Sequence, residues 1–98
     1  MSNLFKMKVT LIDLSGINSI NELHQLLMVK LKFPSFYGMN WDPFWDSITS
    51  LVEMPDELEI TGFEGFSKAF SKDANFFFRC LQDYNSQPGL KKVNISFT

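Results

Sequence analysis

Cysteine and histidine are nearly absent from this chain of 98 residues, which contains Cys80 and His24 as its single examples of each. One cysteine allows no disulfide within the chain, and a lone histidine has no second Cys or His placed beside it to bind a metal. No apolar run approaches the roughly 20 residues of a membrane helix, and residues 1–6 lack the apolar stretch of a signal peptide. The composition therefore predicts a cytoplasmic protein that uses no membrane, metal or other cofactor.

Basic residues are missing from the middle of the chain, since no lysine or arginine lies between Lys32 and Lys68. That stretch holds seven of the eleven carboxylates, namely Asp42, Asp46, Glu53, Asp56, Glu57, Glu59 and Glu64. Although the net charge is only −2, this segment projects a negative field that repels nucleic acid and attracts a cationic surface. A solvated acidic face that only keeps a small domain in solution is the alternative explanation.

The rest of the composition is that of a single folded domain. Hydrophobic residues make up 45% of the chain and charged residues 20%, which is ordinary for a globular protein. Eleven Phe and two Trp supply a large core volume, and the chain contains no repeat, linker or low-complexity run. We therefore expect residues 1–98 to form one domain.

Hydrophobic periodicity predicts strands and helices that alternate along the chain. The predicted elements are a strand at 7–13, a helix between 19 and 34, a helix from 40 or 42 to 54, a strand at 57–61, a loop or one-turn helix at 63–66, a helix from about 71 to 88 and a strand at 93–97. The first helix begins at a capping box formed by Ser19 and Glu22. This order predicts an α/β fold, a small three-stranded parallel sheet packed by three to four helices.

Several side chains are predicted to be structural. His24 is assigned a hydrogen-bonded role inside the domain, and Cys80 is expected to be a small buried hydrophobe without thiol reactivity. Phe76, Phe77 and Phe78 are predicted to lie in the core, because Arg79 is their only basic neighbour and a nucleic-acid stacking platform would need more.

Residues 35–46 combine turn residues, aromatic side chains that look exposed, and carboxylates at the start of the second helix. Gly38 and Asn40 are turn residues, and Pro43 fits the first turn of a helix, where no backbone N–H is needed. Helical spacing predicts a buried face at Phe44, Ile48, Leu51 and Val52. It places an acidic stripe on the other side, made of Asp42, Asp46, Thr49 and Glu53.

The acidic stripe favours binding over catalysis. The chain has no nucleophile or phosphate-binding motif. Carboxylates along one straight helix form a strip and not a cage, so acid–base catalysis or metal binding by Asp42 and Asp46 is the lesser alternative. A strip of acids flanked by Phe36, Tyr37, Trp41 and Trp45 has the composition of a protein interface. These residues predict an acidic surface that inserts into a cationic cleft of another protein.

The central segment also carries a family resemblance. The resemblance is carried by Leu23-His24-Gln25, Pro34, Tyr37-Gly38-Met39-Asn40, Asp42 and Trp45-Asp46-Ser47-Ile48-Thr49. At these positions the sequence resembles the barstar family of intracellular inhibitors of barnase-type ribonucleases. The likeness extends over nearly the whole chain. It implies a non-catalytic inhibitor, a monomer when free, that inserts its second helix and the preceding loop into the active site of a basic, extracellular-type ribonuclease.

The resemblance implies specific roles for three carboxylates and a wider set of partner-binding residues. Asp46 would be the central carboxylate, with Asp42 beside it, and Asp83 on the last helix aligns with a glutamate that makes an outlying charge contact. The predicted partner-binding residues are Phe36, Tyr37, Gly38, Asn40, Trp41, Asp42, Trp45, Asp46, Thr49, Glu53 and Asp83.

Three positions depart from the family pattern. Phe36 lacks a tyrosine hydroxyl, Trp41 is much larger than the leucine it replaces, and Pro43 is new. Because all three lie at the predicted contact surface, the target is expected to be a different ribonuclease or a related toxin. An immunity or adaptor protein that binds another basic protein is the alternative function, since the same acidic face serves both.

Overall fold

Four helices and three strands alternate along residues 7–98, the part of the chain that this computed structural model describes. They are β1 (Val9–Asp13), α1 (Ile20–Leu31), α2 (Trp41–Asp46) with a following π-helical turn (Ser47–Leu51), β2 (Glu57–Thr61), α3 (Phe63–Ala69), α4 (Ser71–Ser86) and β3 (Asn94–Phe97). The predicted α/β fold is confirmed. The prediction about a signal peptide concerns residues 1–6 and lies outside the described residues.

The sheet has the strand order β1-β2-β3, and both strand pairs are parallel, as predicted. More exposed and less exposed side chains alternate along each strand, and in β1 and β2 Ile12, Leu58 and Ile60 are buried whereas Leu11 and Glu59 are exposed. Since right-handed connections between successive neighbouring strands all lie on one side of a sheet, the four helices cover one face. Among residues 7–98, no element covers the opposite face.

Helix α1 begins at the predicted capping box. The Ser19 hydroxyl accepts a hydrogen bond from the Glu22 backbone N–H at 3.1 Å, and the Glu22 carboxylate accepts one from the Asn18 backbone N–H at 2.9 Å. These bonds satisfy donors that the start of a helix leaves unpaired. The helix ends where Lys32 adopts a left-handed conformation with φ of 60°, two residues before Pro34.

Helix α3 is longer than the predicted loop or single turn. Gly62 does interrupt the chain after β2, with φ of +71°, but Gly65 lies inside the helix. Phe66 is buried and packs against Phe70 with ring centroids 5.3 Å apart. Burial of the Phe66 ring and partial burial of Phe70 outweigh the modest cost of one glycine within a helix.

Only one of the three consecutive phenylalanines of α4 lies in the core. Phe77 is fully buried, whereas Phe76 is 43% exposed and Phe78 is 38% exposed. Successive side chains of a helix are separated by about 100°, so three in a row cannot share one buried face. The prediction was therefore wrong for Phe76 and Phe78.

Aromatic packing holds α2 against α4 and so determines where the surface of α2 lies. The fully buried ring of Phe44 makes edge-to-face contacts with Phe77 at 5.8 Å and with Phe33 at 5.7 Å between ring centroids. This geometry is the favourable one for aromatic pairs. It turns the opposite side of α2, with its carboxylates, outward.

Substitution of Gly62 by alanine is expected to destabilise the protein. A Cβ atom at this position would lie 2.7 Å from the backbone nitrogen of Ser15, and the positive φ strains any side chain. We expect Gly62→Ala to lower the free energy of unfolding by about 2 kcal/mol or more. The matched control Gly65→Ala has open space and should raise it by about 0.5–1 kcal/mol. Urea unfolding measures the free energy of unfolding of both variants. Equal changes in the two variants would contradict the requirement for glycine at position 62.

Candidate protein-binding site

The start of α2 is fixed by the residues of the preceding turn. The Asn40 side chain accepts a hydrogen bond from the Trp41 backbone N–H at 2.7 Å, and its carbonyl accepts one from Phe44 at 3.0 Å. Pro43 lies in the first turn, where its missing N–H costs nothing. A Cβ atom on Gly38 would lie 2.9 Å from Cγ of Pro43, so a larger residue there would force the loop or the Pro43 ring to shift.

A buried hydrogen bond to α1 anchors the loop before α2. Nδ1 of His24 lies 2.6 Å from the hydroxyl of Tyr37, which donates in turn to the Asn40 carbonyl at 3.3 Å. The direction of the 2.6 Å bond follows the imidazole tautomer, because Nδ1 donates to the Tyr37 hydroxyl when it is protonated and accepts from it when it is not. Burial lowers the pKa of His24, opposed by the charge of Asp73, and burial raises the pKa of the Tyr37 hydroxyl. The structural role predicted for His24 is confirmed.

Tyr37 itself lies in the core and not among the exposed aromatics where the sequence placed it. Its side chain is 7% exposed and packs on Phe33 with ring centroids 4.8 Å apart. Phe36, by contrast, is 75% exposed. The geometry therefore allows Tyr37 to position the loop and allows Phe36 to make direct contacts.

The end of α2 differs from the predicted helix. In the turn Ser47–Leu51 the backbone winds as a π-helix, and Val52 N–H donates to the Ser47 carbonyl at 3.1 Å. The Thr49 hydroxyl donates to the Trp45 carbonyl at 2.7 Å and so competes with the backbone for that acceptor. Val52 is extended, so the helical segment ends at Leu51 and not at Met54.

This wider turn changes the predicted faces of the segment. Leu51 is 50% exposed and does not join the buried side chains of Phe44 and Ile48, because a π-turn holds more residues than an α-turn and shifts those that follow. Glu53 lies beyond the helix and so is not part of an acidic stripe. It lines a separate cavity of about 200 Å³, together with Lys8, Val9, Thr10, Lys30, Leu31, Lys32 and Pro55.

Two surface grooves flank α2. The α2–α4 groove, with a volume of about 320 Å³, is lined by Trp41, Asp42, Trp45, Phe76, Cys80, Asp83 and Gln87. The loop–α2 groove, with a volume of about 250 Å³, is lined by Phe36, Tyr37, Gly38, Pro43, Asp46, Ser47 and Leu51. Each groove thus combines aromatic or aliphatic side chains with at least one exposed carboxylate.

The carboxylates of both grooves are available to an outside cation. Asp42, Asp46 and Asp83 are exposed, and across residues 7–98 the ion pairs are Glu64–Lys68 and Asp56–Lys91. Burial, followed by the charges of Asp83 and Asp42, raises the pKa of the Cys80 thiol. The two carboxylates thus add to the effect of burial, because a nearby negative charge disfavours the thiolate. Cys80 is half-buried there and not in the core, where it was predicted.

The grooves contain most but not all of the predicted site residues. Asn40, Thr49 and Glu53 line neither groove. The residues of the α2–α4 groove that sequence reasoning did not identify are Phe76, Cys80 and Gln87. Together with Asp83 they recur every three or four positions, which places them on one face of a helix. That spacing is the signal that could have found them.

One polar contact between the helices had no signal in the sequence. The indole N–H of Trp41 donates to Oδ1 of Asp73, on the first turn of α4, at 2.9 Å. The two residues are 32 positions apart, and only the packing of α2 on α4 brings them together.

Metal and membrane sites receive no support from the described residues. Among residues 7–98, no three His, Cys, Asp or Glu side chains are grouped closely enough to hold a metal ion. Within the same range, no helix has the length and apolar character needed to cross a bilayer.

Exposed carboxylates lie beside aromatic side chains in these shallow grooves, a composition typical of protein-binding modules. The protein-family profile described as "Barstar (barnase inhibitor)" matches residues 7–98. The chain therefore belongs to the barstar family, and the resemblance stated above is confirmed. Members of this family are inhibitors and not enzymes, so the chain is not an enzyme, as predicted.

A relative supports the same conclusion. A Bacillus subtilis (strain 168) protein named "Putative ribonuclease inhibitor YrdF" is 41% identical over 64 residues, which cover 65% of this chain and 69% of that protein.

Acidification is expected to destabilise the fold through His24. The pKa of this buried imidazole lies below 6.5 in the folded protein, so below that pH the unfolded chain binds a proton that the folded chain does not. The free energy of unfolding should therefore fall as the pH decreases below about 6.5 toward the folded pKa.

The His24→Asn variant is the control, because it removes the titrating ring and keeps a nitrogen near the position of Nδ1. Urea unfolding between about pH 5 and pH 8 should show a smaller pH dependence in this variant than in the parent. Parallel profiles in the two proteins would contradict the role of His24.

Proposed function

We propose that this protein inhibits a basic ribonuclease of the barnase type, or a related toxin, by covering the active site of that enzyme with α2 and the preceding loop. The observation that carries the proposal is the α2–α4 groove, in which Asp42 and Asp83 line one cavity beside Trp45 and Phe76. A guanidinium or ammonium group placed there meets two carboxylates and the faces of aromatic rings. Membership of the barstar family supports the same function.

Asp46 is proposed as the central carboxylate of the interface. It lies one helical turn from Asp42 but lines the other groove, beside the exposed ring of Phe36. Asp42 and Asp46 thus present carboxylates on both sides of α2. There they can occupy positions that substrate phosphates take in a basic active site. The inhibitor then neutralises the arginine, lysine and histidine side chains that bind those phosphates.

The remaining residues of the predicted site divide into two roles. Asn40 and Tyr37 hold the loop and the start of α2 in place, since the side chain of one caps the helix and the hydroxyl of the other is buried. Gly38, Trp45 and Thr49 are proposed to contact the partner at the edges of the two grooves. Glu53 is proposed as a peripheral contact, because it lies beyond the helical segment.

The departures from the family pattern bear on the choice of target. Phe36 and Pro43 make the loop–α2 groove more apolar around Asp46, and Trp41 forms part of the wall of the other groove. We propose that the target presents a complementary apolar group next to its cationic site. The free protein is proposed to be a cytoplasmic monomer that protects its own cell from the nuclease.

Removal of the Asp46 carboxylate should weaken binding far more than stability. Calorimetric titration into a barnase-type ribonuclease should show one-to-one binding by the parent and a loss of about 2–5 kcal/mol in Asp46→Ala, because cations of the partner are left unpaired. The free energy of unfolding should change by less than about 0.5 kcal/mol, since the side chain is exposed.

The matched control is Glu59→Ala, which removes one exposed carboxylate from the open face of the sheet. Its binding should stay close to that of the parent. An equal loss in both variants would mean that net charge and not position matters, and no binding by the parent would overturn a barnase-type target.

Salt should slow association more than it speeds dissociation. The grooves act at a distance through a negative field, and ions screen that field over about 10 Å at 0.1 M ionic strength. Between about 0.05 and 0.5 M NaCl we expect the association rate to fall by about tenfold or more. Stopped-flow tryptophan fluorescence measures this rate, and a rate independent of salt would contradict attraction by the carboxylates.

A further inference from the structure

We infer that Asp73 is a positioning residue for the ribonuclease-binding surface, because its carboxylate fixes the orientation of the Trp41 indole that forms a wall of the α2–α4 groove. Asp73 does not line that groove itself. It acts through Trp41, and the inference rests on the proposed function, since that function gives the groove its role in binding.

The contact between Asp73 and Trp41 is directional, unlike the other contacts between α2 and α4. Within residues 7–98 it is the one side-chain hydrogen bond that joins these two helices, with a length of 2.9 Å. Other contacts between these helices are between rings, such as Trp41 with Phe77 at 5.9 Å and Phe44 with Phe77 at 5.8 Å between centroids. Ring packing sets the separation of the helices, whereas a hydrogen bond also sets the angle of the donor.

The surroundings of Trp41 make its orientation matter. The indole lies between His24 of α1, with ring centroids 4.6 Å apart, and Phe76 of α4, on which it stacks at 6.5 Å with an interplanar angle of 22°. The next residue in the sequence is Asp42, which lines the same groove. Rotation of the indole about its Cβ–Cγ bond would move the six-membered ring and reshape the groove beside that carboxylate.

Asp73 has a second effect that the test must separate from positioning. It lies in the first turn of α4, where a carboxylate stabilises the helix through the helix dipole. That effect depends on the charge alone. The hydrogen bond to Trp41 depends on an acceptor oxygen, which a neutral amide also supplies, although a charged acceptor makes the stronger bond.

The experiment compares Asp73→Asn with Asp73→Ala, which lose the same charge while only the first keeps an acceptor oxygen. In the free protein, NMR measures exchange of the indole N–H protons with water, and the indole of Trp45 serves as the internal reference. The Trp41 proton should exchange about tenfold faster in Asp73→Ala than in the parent, and at nearly the parental rate in Asp73→Asn. Equal rates in all three proteins would overturn the inference.

The second measurement is dissociation from a barnase-type ribonuclease. We expect the dissociation rate to rise by about fivefold to tenfold in Asp73→Ala and by less than about twofold in Asp73→Asn. Adding Asp73→Ala to Trp41→Phe, which keeps an aromatic wall but has no donor, should cause little further increase. A role through charge or helix stability alone predicts equal dissociation rates for the Ala and Asn variants, and that result would overturn the inference.

Failure of the proposed function gives a different pattern. If the parent protein does not bind the ribonuclease, the target is wrong and the link between Asp73 and binding is overturned with it. The exchange rates in the free protein still decide whether Asp73 orients Trp41.

Discussion

The buried hydrogen bond between His24 and Tyr37 is the interaction on which the geometry of the candidate binding surface depends. A polar pair exposed by only 1% and 7% would be costly in the core if either partner were missing. The bond ties α1 to the loop, and the second contact of Tyr37, to Asn40, fixes the residue at which α2 begins. The directions in which Asp42 and Asp46 point therefore depend on this anchored loop together with the packing of Phe44 on Phe77.

Most of the fold was predictable because its signals are local. Alternation of apolar residues identified the strands, and the Ser19–Glu22 capping box identified the start of α1. Two features were not predictable in this way. The helix through Gly65 depends on burial of Phe66, and the π-turn depends on a competition for the Trp45 carbonyl that involves the Thr49 hydroxyl. The first is decided by tertiary burial that outweighs local preference, and the second by a side-chain hydrogen bond within the segment that hydrophobic periodicity does not show.

The residues that α2 contributes to the candidate site were predictable, whereas most of those that α4 contributes were not. Helical spacing placed Asp42 and Asp46 one turn apart, and the family resemblance added Asp83. The α4 wall of the groove, with Phe76 and Cys80, needed knowledge of which helix packs beside α2. The sequence also misplaced Tyr37, because no periodicity shows which of two neighbouring aromatic residues in a loop turns inward.

The open face of the sheet has a consequence for the behaviour of the protein at high concentration. An uncovered parallel sheet is unusual, and here β1 presents half-exposed Val9 and Leu11 to solvent. The strand register sets these two residues directly beside Glu57 and Glu59 of β2. Two molecules that approached through this face would bring like-charged rows together, and charge of this kind is how natural sheets resist aggregation. Glu57 and Glu59, which line neither groove, thus disfavour association of two molecules through this face of the sheet.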